Sequence, residues 1–210
     1  MKKMKKGLAL LLVAVLALAL TACGNGKEET APTNAPSSAA TADTEKTAAN
    51  GKTLVVYYSA TGSTEAVAKT VAETLSADLF EIVPEQPYTA DDLNWNDSDS
   101  RVSVEHDDET KRKVSLQKST PDNWEQYTTV YVGYPMWWGI AAWPVDGFVE
   151  ANDFSGKTVI PFCTSASSGL GSSAERLRAA AGGGSWQEGK RFSSGVKAET
   201  VAVWARETAE

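Results

Sequence analysis

The chain has 210 residues, 42% hydrophobic and 22% charged, a length that suits one domain with appendages rather than two full domains. Its 20 Lys+Arg against 27 Asp+Glu give a formal charge of −7, and loss of the first residues, which hold four of the lysines, leaves 16 against 27 and a charge of −11. That balance offers no basic footprint for nucleic acid, while one His and two Cys exclude a zinc cluster and a disulfide scaffold.

The chain opens MKKMKKGLALLLVAVLALALTACGNG. Lys2, Lys3, Lys5 and Lys6 form a positive head, and the apolar run that follows spans residues 7–20. It falls short of the roughly 20 residues that cross a bilayer and has the length of a signal-peptide core. Leu20-Thr21-Ala22-Cys23 resembles the lipobox of bacterial lipoproteins. The resemblance implies a signal peptide over 1–22, cleavage before Cys23 and diacylglycerol on its thiol. The domain would then be lipid-anchored to the bacterial cell membrane on its extracytoplasmic side. Residues 23–52 are rich in Ala, Thr, Ser, Pro and Glu and lack large apolar side chains, so they read as a disordered tether. With Cys23 consumed, Cys163 stands alone after Ile160-Pro161-Phe162, in the place of a buried, inert thiol.

From residue 53 the pattern changes. Residues 53–58 (TLVVYY) read as a buried parallel strand, and 65–75 put Val67, Val71 and Leu75 on one helical face, backed by Ala68 and Ala72. Residues 79–83, 129–133 and 158–163 read as three further strands. Pro144 opens a helix that buries Val145, Phe148 and Val149. Ser172 and Glu175 spell a capping box for a helix to about residue 181. A weak strand over 186–192 and a helix over 196–207 close the chain. Strands alternating with helices predict an α/β domain over 53–210, with a doubly wound five-stranded parallel sheet and helices on both faces. Residues 85–126 fit no period. They are either a flap over the carboxyl edge of the sheet or a solvated excursion with one irregular helix.

Ligands of open α/β sheets collect at the carboxyl ends of the strands, and three unusual loops emerge there. The first, Ser59-Ala60-Thr61-Gly62-Ser63-Thr64, offers hydroxyls and helix N-terminal amides for a phosphate, without the Lys or the spacing of a Walker A loop. The second, Gly133-Tyr134-Pro135-Met136-Trp137-Trp138-Gly139, begins a stretch to residue 143 that holds three of the seven tryptophans. Adjacent indoles cannot both enter one core, so one is expected to form a flat wall for a planar ring. The third, residues 164–171 (TSASSGLG), is built of small residues that let backbone approach a ligand edge. The inventory argues against a hydrolase. There is no nucleophile elbow, and the one histidine, His106, reads as a solvated side chain beside Asp107-Asp108. Arg101, in the irregular stretch, is a residue that could approach a ligand.

Taken together, S-x-T-G-x-T after the first strand, GYPMWWG after a later one, and GKTVIPFCTSAS with an EGKRF turn at 188–192 resemble the flavodoxin-like family. The resemblance implies non-covalent FMN. Its phosphate would be held by Ser59, Thr61, Gly62, Ser63 and Thr64, and its ring would lie against Pro135, Met136, Trp137, Trp138 and Gly139. Thr164, Ser165, Ser167 and Gly169 would meet the ring or ribityl edge. An electron-transfer protein serving a redox partner protein or a small-molecule acceptor is the leading expectation, and an acidic surface around the flavin would lower its reduction potential and steer basic partners. An FMN-dependent NAD(P)H:quinone or nitro reductase is one alternative. A flavodoxin-fold binding module without flavin is the other.

Overall fold

In the computed structural model, which describes residues 51–210, the run KTLVVY forms strand β1 (Lys52–Tyr57). The signal peptide, Cys23 and the tether up to residue 50 lie outside the described residues. There follow α1 (Ser63–Leu75), β2 (Asp78–Glu81), α2 (Arg101–Asp107), β3 (Tyr127–Trp137), β4 (Ile140–Ala141) and α3 (Pro144–Ala151). Then come β5 (Thr158–Thr164), α4 (Ser173–Ala181), β6 (Ser185–Trp186), β7 (Lys190–Phe192) and α5 (Ala198–Ala209).

The strands order as β2-β1-β3-β5-β6, with β7 also paired to β5, and every pair on this path is parallel. Successive residues of β1 face opposite layers. Leu54 and Val56 pack with Val145, Phe148 and Val149 of α3 and Leu177 of α4. Val55 and Tyr57 pack with Val67 and Val71 of α1 and with Val201 and Trp204 of α5. Both faces are therefore covered by a helix pair, which is why the strands read as continuous apolar runs. From β1 the chain passes to β2 on one side, and from β3 it passes to β5 on the other. The order reverses between β1 and β3, and the crevice at their carboxyl ends is where such a sheet takes a ligand.

Three elements differ from the pattern read in sequence. The predicted fifth strand is split into β6 and β7, because Pro161 in the facing strand has no N–H to give and Gly189 passes so close that a Cβ there would lie 2.6 Å from the Pro161 carbonyl. β3 does not end at Gly133 but runs on to Trp137, kept in the sheet by the pairs Tyr134↔Cys163 and Pro135↔Thr164. The Ser172–Glu175 capping box does not form. Ser172 sits at φ −93°, ψ 10°, outside the extended conformation that aims a capping side chain, and makes no side-chain cap bond. Residues 85–126, which fit no period in sequence, contain the short helix α2, capped by the Ser100 side chain, which accepts from the Ser103 amide.

Candidate functional site

The first loop begins where β1 ends. The Tyr58 amide donates to the Gly133 carbonyl at 3.0 Å, the Gly62 amide donates to Ser59 Oγ at 3.1 Å, and α1 starts at Ser63. Gly62 turns the chain into the helix at φ +85°, a conformation that needs glycine. Ser59 and Ser63 are half-buried, and Thr61 and Gly62 are exposed at the helix mouth. Thr64 is different: it is only 1% exposed, and its hydroxyl pairs with the Thr164 hydroxyl at 2.8 Å. Two predicted site residues thus join the first loop to the third, and the Thr64 hydroxyl is engaged inside the protein.

The second loop is a hairpin. β3 and β4 pair antiparallel through Met136↔Ala141 and Trp137↔Ile140, leaving Trp138 and Gly139 as a two-residue turn at φ +44° and +82°. Two consecutive left-handed residues make the tight hairpin turn that usually takes Asn-Gly. A tryptophan there is strained, and strain of this kind collects at functional sites. The two indoles part as expected. Trp137 points inward, edge-on to Trp143 at 4.7 Å, Tyr88 at 5.3 Å and Tyr58 at 5.8 Å. Trp138 remains 44% exposed. His106 is not a freely solvated side chain, since its ring stacks on Trp138 at 4.4 Å.

In the third loop Ser165 Oγ donates to the Ser168 carbonyl. Arg191 of β7 clamps the same turn, with Nε on Ser165 Oγ at 3.0 Å and Nη2 on the Ser165 and Ala166 carbonyls at 2.8 and 2.7 Å. Ser167 and Gly169 are exposed beyond it. A Cβ at Gly171 would stand 3.4 Å from the Gly139 carbonyl, so the third loop touches the tip of the second. All three loops therefore meet over β1, β3 and β5.

The irregular segment packs onto the hairpin. Leu93, Trp95 and Val102 face Met136, Trp137 and Trp138 across a recess of about 260 Å³. Trp95 is 69% exposed at its rim. Beneath, Glu105 is 6% exposed and accepts from Tyr88 Oη at 2.6 Å, Trp143 Nε1 at 2.7 Å and Arg101 Nε at 2.8 Å. Burial, and then the Glu105 carboxylate, push the Tyr88 hydroxyl far above the usual phenol range, so it stays a donor. Burial also raises Tyr58, and it raises Tyr57 to about 12 with help from Glu81 and Glu65. Arg101 lies over the Tyr88 ring at 3.8 Å and donates Nη1 to the Gln86 carbonyl at 2.8 Å, so it braces the segment from within. The EGKRF turn marks Arg191 as part of a motif without giving it a role, because Lys190 beside it is a second cation in the same short strand, and Glu105 sits in a seven-residue helix with too few turns to show a period.

The donor set suits a phosphorylated ligand with a planar ring. Hydroxyls and first-turn amides gather at one end, and the one acidic side chain of the first turn, Glu65, is engaged with Lys69 at 2.5 Å. An exposed indole stands at the other end. A larger cavity of about 740 Å³ lies elsewhere, among Arg112, Lys113, Asp146, Glu150 and Arg176, and none of the predicted site residues lines it. Among the described residues no group of three His, Cys, Asp or Glu is arranged to hold a metal ion, and no helix is long and apolar enough to cross a membrane.

The sequence model of the family described as Flavodoxin matches residues 52–208. A protein from Bacteroides uniformis whose crystal structure is described as a flavoprotein's shares 42% identity, with 74% of this chain and 98% of that one covered and a TM-score of 0.67. One from Bacteroides eggerthii, described likewise, shares 38% over 77% and 99%, with a TM-score of 0.68. A Lactobacillus acidophilus flavoprotein, solved in complex with FMN, has the same fold at 22% identity, a TM-score of 0.52 and coverage of 67% and 93%. No curated protein matches the chain.

Proposed function

Since the chain belongs to the flavodoxin family, we propose that it binds FMN non-covalently at the three loops and serves as an electron-transfer protein held at the membrane by lipid on Cys23. The observation that carries this reading is the convergence of the loops at the β1/β3 crevice, with helix-mouth hydroxyls at one end and a strained, exposed indole at the other. FMN, when bound, supplies the redox chemistry, taking up and releasing electrons at its ring. The chain's own residues bind and orient it. Ser59, Thr61 and Ser63 offer hydroxyls, and the amides from Gly62 onward complete a phosphate cradle that needs no cation. Pro135, Met136 and Trp138 supply the ring wall, with Trp137 behind it and Gly139 giving backbone at the tip. Thr164, Ser165, Ser167 and Gly169 border the ring or ribityl edge, on a loop that Arg191 keeps in place.

Titration of the purified protein with FMN, following flavin and tryptophan fluorescence together, tests the site. Mutual quenching with a one-to-one endpoint is expected, and a folded protein that leaves FMN fluorescence unchanged would end the proposal. The anchor is tested separately by detergent-phase partitioning of the cell-expressed protein. The wild type should enter the detergent phase and take up labelled fatty acid, and Cys23→Ala should take up none. A reductase reading is favoured by one observation, the apolar recess that residues 93–102 build against the hairpin. Direct oxidation of NAD(P)H by the FMN-loaded protein alone would support it, and dependence on a separate reductase would support the carrier.

A further inference from the structure

We propose that Glu105 is a positioning residue for the flavin seat: it fixes the inner aromatic layer that backs the hairpin, and through it the place of the exposed ring wall. The inference rests on the FMN reading and deepens it. Glu105 is nearly fully buried in α2, yet it serves three donors from three different segments. One oxygen, Oε2, receives both Tyr88 Oη and Trp143 Nε1, and the other, Oε1, receives Arg101 Nε. Tyr88 and Trp143 are two of the three rings against which Trp137 packs, and Trp143 also lies stacked with Trp138 at 6.1 Å. Arg112 closes the arrangement from outside, donating Nε to the Glu105 carbonyl at 2.9 Å while its guanidinium lies over the Trp143 ring at 5.3 Å.

Aromatic edges in contact slide with little resistance, because their attraction varies slowly with position. Directional bonds to a buried carboxylate do not allow that, since displacing a donor leaves a desolvated charge partly unsatisfied. A short helix without a sustained apolar stripe thus acquires a defined seat, and the aromatic layer acquires a defined registry. The hairpin turn itself is strained and would not hold Trp138 in place unaided.

Glutamine and alanine at this position separate positioning from bulk stability. Glu105→Gln keeps an acceptor for Tyr88 and Trp143 and sacrifices the bond from Arg101, whereas Glu105→Ala removes every acceptor. The experiment measures FMN affinity, the visible circular dichroism of bound FMN, and the near-ultraviolet circular dichroism of the tryptophans in FMN-free protein. In Glu105→Ala, FMN should bind about tenfold more weakly or worse, with its visible dichroism changed. In Glu105→Gln, affinity should stay within about threefold of wild type, with the wild-type spectrum. Where Glu105→Ala does not fold, Tyr88→Phe removes one donor without emptying space, and it should give a weaker shift in the same direction. Equal loss in Gln and Ala variants, or wild-type FMN affinity and dichroism in a folded Ala variant or in Tyr88→Phe, would overturn the inference. Should the wild type bind no FMN, the function proposed above fails, while the tryptophan dichroism still tests Glu105: loss in Ala with retention in Gln supports its role, and no change in Ala refutes it.

Discussion

Replacing Trp138 by glycine should uncouple stability from flavin binding. The wild-type residue sits at φ +44°, where an L side chain costs about 1–2 kcal/mol and glycine costs little. Against that relief stands the loss of contacts with His106 and Trp143, about 0.5–1.5 kcal/mol for a well-formed aromatic pair and less for a ring that is 44% exposed. The two effects nearly cancel, so the melting temperature of FMN-free protein should move by no more than about 4 °C. FMN affinity should fall about tenfold or more, since one stacked aromatic contributes about 1–3 kcal/mol to holding a planar ring. Trp137→Ala is the contrast. Its ring is packed against Tyr58, Tyr88 and Trp143, and its removal should cost about 3 kcal/mol of stability as well as binding. Stability is read by thermal circular dichroism without FMN, because bound ligand would itself raise the transition. A Trp138→Gly protein with unchanged FMN affinity, or one destabilised as much as Trp137→Ala, would show that Trp138 is not the ring wall.

Thr64→Val or Thr164→Val alone leaves the partner hydroxyl buried without its bond and should cost about 1–3 kcal/mol, whereas the double variant should cost less than the sum, as urea unfolding of all four proteins would reveal. Asp146 has its carboxyl pushed up to about 6, by burial first, with Arg176 opposing and Glu150 adding. A carboxyl raised in the folded state stabilises fully below its unfolded value and loses that contribution as pH rises through about 6. Asp146→Asn should therefore gain about 1 kcal/mol over wild type at pH 8 and little at pH 4, allowing for partial exposure, and a gain independent of pH would contradict this. Cys163 is buried, and burial pushes its thiol up to about 11, so it should resist a thiol reagent in native protein at pH 8 and react fully once unfolded.

What was legible in the sequence follows from where the information resides. TLVVYY, the Val67/Val71 face and Pro144 announce β1, α1 and α3 because burial and local geometry there agree. The three loops were legible as chemistry, since hydroxyls, adjacent indoles and small residues each follow a strand of strong apolar character. The continuation of β3 past Gly133 was not. Pro135 ordinarily punctuates, and pairing with Thr164 of β5 keeps it in the sheet, while β4 pairs with Met136 and Trp137 beyond it. Nor was the break between β6 and β7, which is decided by a proline in a neighbouring strand. Helix α2 and the role of Glu105 depend on contacts with Tyr88, Trp143 and Arg101, of which only the Arg101 pair is local. Ser172 carries the residue type of a cap without its backbone conformation, so composition alone misled.

The most direct test of the account is a pair of calorimetric titrations, FMN and riboflavin, on the same purified protein. The first loop offers a phosphate cradle and the hairpin offers a ring wall, so FMN should bind one-to-one and riboflavin, which lacks the phosphate, about a hundredfold more weakly or worse. Equal affinities would show that the loop at Ser59–Thr64 does not hold a phosphate, and no binding of either would remove the flavin from this site altogether.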